Sequence, residues 1–471
     1  MPSFTAKKFP ADGGKMNRKI PRLVIAGTGS GCGKTTVTCA ILQALADRGL
    51  APMAFKCGPD YIDPMFHTEV IGAESANIDL FFSDEDQARA LFAKHAKNIN
   101  IIEGAMGFYD GMTIDTDRAS ACHVAQTLCA PVVLVVDAKG KSLSLAAEIK
   151  GFLSFRQPSR ISGVILNRTG ASTYPRIKAM IERECGIRVF GYLPFCPECS
   201  LESRHLGLVT AQEIGDIREK MRKLSQQAEK CLELDGLAAL AESTEDMEYS
   251  EIRVEKIADV RIAVAKDRAF CFYYRDNLEL LEEMGAEIVP FSPINDAALP
   301  ECDGLVLGGG YPELYANALE RNRSMRESIR NAVRSGLPTI AECGGFMYLT
   351  EKIADSAMTG VLPGACFDTK KLCRFGYITV NAESESLLFA AGTEIKAHEF
   401  HHWDADQPGD ALVAQKPSGQ SWQCAWTGKT IYAGYPHLYL YSKMELAKRL
   451  IRKCGEWKKK HEADGNRAKE L

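Results

Sequence analysis

Ten residues near the N-terminus, Gly27-Thr28-Gly29-Ser30-Gly31-Cys32-Gly33-Lys34-Thr35-Thr36, leave this chain few folds to adopt. An apolar stretch at 22–26 precedes them and a helical pattern at 37–47 follows. Strand, glycine-rich loop, Gly-Lys-Thr and helix in that order predict a phosphate-binding loop. Gly31 and Gly33 expose backbone N–H groups to an anion, Lys34 brings a point charge, and the Thr35 hydroxyl, followed by Thr36, reaches toward Mg²⁺. The spacing is unusual. Five residues separate Gly27 from Gly33 where the common pattern has four, and the usual first glycine falls on Thr28.

Further apolar stretches at 53–56, 100–102, 131–136, 161–166 and 188–193 alternate with helical patterns, which predicts a parallel sheet covered by helices. The stretch at 131–136 is almost all Val and Leu, as expected of a strand buried on both faces. Polar residues follow several of these strands, on the edge where open parallel sheets bind ligands. Asp60 and Asp63 follow 53–56, and either hold a metal or substrate or simply form a turn. Glu103 ends 100–102 and is the expected second Mg²⁺ ligand. Asp110 either faces substrate or caps its loop. Asn167 either meets a nucleotide base or belongs to a polar turn.

A second α/β unit is expected from residue 259, with strands at 262–265, 287–291 and 304–307. Ala341-Glu342-Cys343-Gly344-Gly345-Phe346 then reads as strand, sharp turn and helix. A cysteine at such an elbow faces a helix N-terminus, whose dipole favours a thiolate. Gly309 and Gly310, with Gly344, offer backbone N–H groups for an oxyanion. Cysteine chemistry needs a base that titrates near neutrality. His437 leads, and His398, His401 and His402 compete. Taken alone, Cys343 reads more readily as a buried structural cysteine.

The length of 471 residues calls for more than one domain. The expected order is a disordered leader at 1–19, a nucleotide-binding domain at 20–242, a linker at 243–258, a second domain at 259–454 and a basic tail at 455–471. A net charge of −4 gives no reason to expect nucleic acid or an anionic membrane as partner. No apolar run approaches the ~18 residues of a membrane span, and the first 19 residues lack the apolar core of a secretory signal. Sixteen scattered cysteines fit a reducing cytoplasm better than a disulfide framework. Cys196 and Cys199 form a lone CxxC, weak evidence for zinc.

Seven blocks (27–36, 56–64, 103–111, 307–315, 341–349, 398–401 and 435–438) together resemble the cobalamin-pathway glutamine amidotransferases, and within them the a,c-diamide synthases that act on cobyrinate. The likeness covers nearly all of 20–450. The block Lys56-Cys57-Gly58-Pro59-Asp60-Tyr61-Ile62-Asp63-Pro64 separates this family from cobyric acid synthase and from dethiobiotin synthetase. The resemblance implies an N-terminal P-loop NTPase-like, dethiobiotin synthetase-like parallel sheet and a C-terminal class I glutamine amidotransferase-like α/β domain. It implies ATP and Mg²⁺ in the first, with Lys34 and Thr35 on phosphate and metal, Glu103 on metal, and Asp60, Asp63 and Asp110 near metal or substrate. A carboxylate would become an acyl phosphate that ammonia converts to an amide, at c and then at a. In the second domain Cys343 would form a thioester with glutamine, assisted by His437. The implied partners are small molecules: a cobyrinate-type tetrapyrrole, glutamine and ATP. Hydrogenobyrinate and Ni-sirohydrochlorin are the alternative substrates, and there is room for a homodimer. Ordinary triad amidotransferases carry a carboxylate two residues after the histidine. Here Tyr439 stands there, so the third member of the triad is unassigned.

Two other classes compete. A nucleotide switch of the partitioning type would carry a lysine early in the loop, where this chain has Gly29. A regulatory module with a dead amidotransferase domain would lack glutaminase activity.

Overall fold

The computed structural model describes residues 14–197 and 211–469, so Cys199 of the CxxC pair lies outside the described residues. The chain divides into two compact units, Met1–Arg253 and Val254–Leu471.

The first unit is built on a seven-stranded parallel sheet. Its order across the sheet is Ser75–Ile78, Met53–Cys57, Asn100–Glu103, Arg22–Gly27, Val132–Asp137, Ile161–Asn167, Arg188–Leu193. Alternate residues of one strand point to opposite faces, and here the two faces belong to separate apolar clusters. Val24, Ala26, Val132, Leu134 and Val136 pack on one side with Phe92, Val124, Leu145 and Ile149. Leu23, Ile25, Val133 and Val135 pack on the other with Val37, Ile41, Leu45, Met221 and Leu224. Both faces are dry, which is why these strands read as continuous apolar runs. Because the strands are parallel, the loops after Gly27, Cys57, Glu103, Asp137 and Asn167 all open on one edge.

Ser75–Ile78 is a strand that the apolar runs do not announce. It is short and sits at the edge of the sheet. The N-terminal segment also departs from expectation. Lys15–Arg18, placed in a disordered leader, pairs antiparallel with Met247–Ser250, placed in the linker. The charged ends of Lys15 and Glu248 meet across that ribbon. The fully buried Arg22 fixes the same region: its guanidinium donates to the carbonyls of Leu128, Ile20 and Glu245. Residues 243–250 therefore belong to the first unit, and the division falls at Arg253.

The second unit has a six-stranded sheet in the order Ala286–Phe291, Val260–Ala265, Gly304–Leu307, Thr339–Glu342, Ile431–Gly434, Trp426–Thr427. All neighbours are parallel except the last pair. A separate antiparallel sheet follows the order Ser421–Cys424, Leu412–Gln415, Arg374–Ala382, Thr393–His401, His437–Leu438. The chain leaves the parallel sheet at Gly434 and joins the antiparallel one at His437, so this short connection ties the two together. The helix Glu445–Lys469 runs through most of the segment expected as a tail. Among the described residues, no helix is long and apolar enough to cross a membrane.

Replacing Arg22 by alanine leaves three buried carbonyls without their donor. Arg22→Ala is expected to destabilise the first unit by about 3 kcal/mol, read as a lower urea midpoint. An unchanged midpoint would show that the guanidinium does not hold the strand to residues 128 and 245.

Candidate active sites

In the first unit the glycine-rich loop follows the central strand Arg22–Gly27 and ends on the helix Lys34–Asp47. Gly33 has φ +96°, and a Cβ there would lie 1.9 Å from Asn167 Nδ2, so only glycine fits. Asn167 in turn donates to the Cys32 carbonyl at 2.8 Å. In this structure Asn167 braces the phosphate loop, a role beyond the two expected for it, and its Oδ1 accepts from Arg168 N at 3.0 Å in the turn that follows. Arg168 adds a second brace, donating to Gly31 O at 3.2 Å while paired to Asp137 at 2.7 Å. Lys34 is mostly buried and donates to Gly29 O at 3.1 Å, closing the loop on itself. Its burial lowers the pKa of the ammonium.

Beside the loop lies a buried charge cluster. Thr35 Oγ1 donates to Glu103 Oε1 at 2.6 Å. Lys56 Nζ touches the same oxygen at 2.9 Å and Asp63 Oδ2 at 2.5 Å. His67 Nε2 lies 3.4 Å from the other Glu103 oxygen. Glu103 is fully buried and Asp63 nearly so. Burial alone would raise the pKa of Glu103, but Lys56 first, then His67 and Thr35, outweigh it and hold the carboxyl well below its usual range. Burial likewise opposes the charge on Lys56, and Glu103 and Asp63 reverse it, so the ammonium is firmly retained. A hydroxyl and two carboxylates on one site are hard oxygen donors of the kind Mg²⁺ takes.

Asp60 and Asp110 differ from these. Asp60 accepts from Ile62 N at 2.8 Å, and burial, then the charge of Asp63, pushes its pKa up to about 6. Asp110 is exposed and accepts from Gly107 N at 2.7 Å. Both carboxylates accept turn N–H groups here, one of the two roles expected for each. Lys56 and His67 were missed as site residues. Lys56 opens the most distinctive block of the sequence, which was its only signal. His67, in a π-helical turn at His67–Ile71, gave none.

In the second unit Cys343 sits between the strand Thr339–Glu342 and the helix Gly344–Leu349 with φ 47° and ψ −103°. A non-glycine residue with positive φ is strained. The strain is held by Cys343 N donating to Gly434 O at 2.8 Å, one step beyond the pairing of Glu342 with Gly434. The elbow is therefore as expected, but the thiolate is not. Burial, then the nearby Glu313 carboxylate, raises the thiol pKa far above its ordinary value. A helix of six residues does not offset that desolvation, so the thiol keeps its proton until a base takes it.

The expected base stands three residues past Gly434. His437 is buried and packs over Gly309, where a Cβ would come within 2.5 Å of its Cε1 and 3.3 Å of its Nε2. A Cβ on Gly344 would meet Gly310 N at 3.1 Å. The glycine loop, the elbow and the imidazole thus converge, and each junction excludes a side chain. Burial lowers the pKa of His437 to about 3, below the near-neutral value expected of the base, so the ring is neutral and disfavours the charged form. Its Nδ1 lies 3.8 Å from Glu342 Oε2.

The competing histidines lie otherwise. His398 stacks on His437 at 4.9 Å, with its Nδ1 2.9 Å from the Tyr274 hydroxyl. His401 is engaged by Trp403 O at 2.6 Å and stacks on Tyr435. His402 is exposed. Tyr439 donates to Asp276 Oδ2 at 2.5 Å. Glu342 was also missed. Its neighbour in the sequence drew attention, but its contact with His437 depends on a strand pairing about ninety residues long-range.

With both sites described, the likeness to known proteins is direct. The family model of the CobQ/CobB/MinD/ParA nucleotide binding domain matches residues 23–209, and that of the CobB/CobQ-like glutamine amidotransferase domain matches 261–444. The cobyrinate a,c-diamide synthase of Caldanaerobacter subterraneus subsp. tengcongensis is 41% identical over 450 residues, covering 93% of this chain and 99% of that protein. The enzyme of the same name from Clostridium acetobutylicum is 41% identical over 438 residues, 91% and 99% of the two chains. That from Listeria innocua is 40% identical over 436 residues, 89% and 96%. By identity, by coverage of both domains and by architecture, the chain belongs to the cobyrinate a,c-diamide synthase family.

Proposed function

We propose that this protein amidates the a and c carboxylates of cobyrinate, using ATP to activate each acid and glutamine, or free ammonia, to supply nitrogen. The observation that carries the reading is that one chain holds a phosphate loop with a buried oxygen-donor cluster and, in its second unit, a strained cysteine elbow and a neutral histidine that both pack on one glycine loop.

A carboxylate resists attack by ammonia because oxide is a poor leaving group. Transfer of the γ-phosphoryl group of ATP to a carboxylate oxygen makes a mixed anhydride and ADP. Ammonia then attacks the carbonyl carbon, phosphate leaves, and the amide remains. Lys34 and the N–H groups of Gly31 and Gly33 would bind the phosphates, with Thr36 beside them. Thr35 and Glu103 would hold Mg²⁺, with Asp63 close by, and the metal would neutralise charge on the phosphates. Asp60 and Asp110 lie on the same sheet edge and would meet substrate by a change of their turn contacts.

In the second unit the Cys343 thiol would pass its proton to His437 as sulfur attacks the amide carbon of glutamine. The N–H groups of Gly309, Gly310 and Gly344 would receive the oxyanion. The proton then leaves on ammonia, and water hydrolyses the thioester to glutamate. A cytoplasmic setting suits both the free thiol and the supply of ATP. Hydrogenobyrinate and Ni-sirohydrochlorin remain the alternative acids, and a panel of the three substrates distinguishes them.

Cys343→Ala is expected to lose glutamine-dependent amidation by at least about 1000-fold while retaining amidation with ammonium chloride. Equal loss of both would contradict the division of labour. Lys34→Ala is expected to abolish both, because no acyl phosphate forms, and ammonia-dependent turnover in that variant would refute its role. Lys56→Met leaves Glu103 and Asp63 buried without a counter-charge. It is expected to destabilise the first unit by about 3–5 kcal/mol, seen in its urea midpoint, and a wild-type midpoint would show that the cluster carries no such charge.

A further inference from the structure

The amidotransferase half lacks a carboxylate at the expected place, two residues after His437, yet a carboxylate reaches the ring from elsewhere. The geometry points to Glu342, the residue immediately before the nucleophile, as the positioning residue that orients His437 through Nδ1. This rests on the reading of Cys343 and His437 as the glutaminase pair.

Three observations support it. Glu342 Oε2 is the carboxylate oxygen recorded 3.8 Å from His437 Nδ1. Its second oxygen is anchored, accepting the N–H of Leu438 at 3.0 Å, so the side chain is clamped to the backbone beside the ring it faces. Of the ring atoms Cε1, bonded to both nitrogens, is nearest a Cβ on Gly309 and Nε2 is next, in the glycine loop that also meets Gly344. Nδ1 is thus on the glutamate side, and Nε2 borders the glycine loop. A gap of 3.8 Å is too long for a hydrogen bond. Catalytic contacts are commonly loose before substrate binds and tighten in the complex.

The chemistry needs this orientation. In the reactive form Nδ1 carries a proton held by ionised Glu342, and Nε2 has a free lone pair. The thiol proton passes to Nε2, the imidazolium is stabilised by Glu342, and the same proton later leaves on ammonia. No proton is gained or lost by the pair over the cycle. The positive charge that the ring gains in turn favours the ionised form of Glu342. Burial raises the resting pKa of Glu342 to about 8, which is the cost of building such a pair out of water.

The anchoring also selects a test. In Glu342→Gln the amide oxygen keeps the Leu438 N–H, so the NH₂ group faces Nδ1 as a donor. That fixes the proton on Nε2, the wrong nitrogen to accept from the thiol. Glutamine hydrolysis by the full-length protein is measured for wild type, Cys343→Ala, His437→Ala, Glu342→Gln and the Glu342→Gln/His437→Ala double variant. Expected is a fall in kcat of at least about 100-fold for Glu342→Gln with KM changed by less than about 3-fold. In the His437→Ala background the same change is expected to cost nothing further, because Glu342 acts through the ring. A residue that only supports the fold would lower both backgrounds alike. If Glu342→Gln fails to fold by thermal melting, Glu342→Asp, which keeps the charge and retracts it by one methylene, is expected to lower kcat about 10-fold. Wild-type kcat in the folded glutamine variant, or in the aspartate variant where only that one folds, overturns the proposal, as does an additive loss in the double variant. An inactive wild type, or an active Cys343→Ala, would instead overturn the glutaminase reading beneath it.

Discussion

The pairing of Thr339–Glu342 with Ile431–Gly434 is the interaction on which the second site depends. It carries the chain past Glu342 into the strained turn at Cys343, whose N–H is the last bond of the ladder. It also sets where the other strand stops, and so where His437 begins the antiparallel sheet. Slip this register by one residue and Glu342, Cys343 and His437 would each face a different way. The strain at φ 47° persists because the ladder on one side and the glycine loop on the other leave the backbone no room to relax.

The first unit solves a related problem with charge. Two carboxylates and a histidine are gathered, buried, beside the glycine-rich loop. Without Lys56 the carboxylates would repel an incoming nucleotide as well as each other. With it one of the two negative charges is offset, Lys56 lying 2.9 Å from Glu103 and 2.5 Å from Asp63. Glu103 and Cys343 thus both lie, buried, at the carboxyl ends of parallel strands.

Much of this was readable from the residues. Val132–Val136 declared a two-faced buried strand, and residues 27–36 declared the loop that caps the central one. The elbow at Cys343 followed from a cysteine between an apolar run and two glycines. What stayed hidden depends on contacts between distant residues. Ser75–Ile78 is an edge strand with too little apolar content to stand out. Lys15–Arg18 is a charged ribbon whose partner lies more than two hundred residues on. Glu342 is invisible as a partner of His437 until the two strands pair. The dipole argument at Cys343 counts only the helix end, whereas burial of the sulfur pushes the thiol pKa the other way, up.

Glutamine labelled with ¹⁵N at its amide, supplied with ATP, Mg²⁺, cobyrinate and an excess of unlabelled ammonium at low pH, puts the joined chemistry to its plainest trial. Under those conditions free ammonia is scarce and the new amides should carry ¹⁵N. Unlabelled amides, or label left entirely in glutamine while product accumulates, would mean that nitrogen released at Cys343 is not what the activated carboxylate captures.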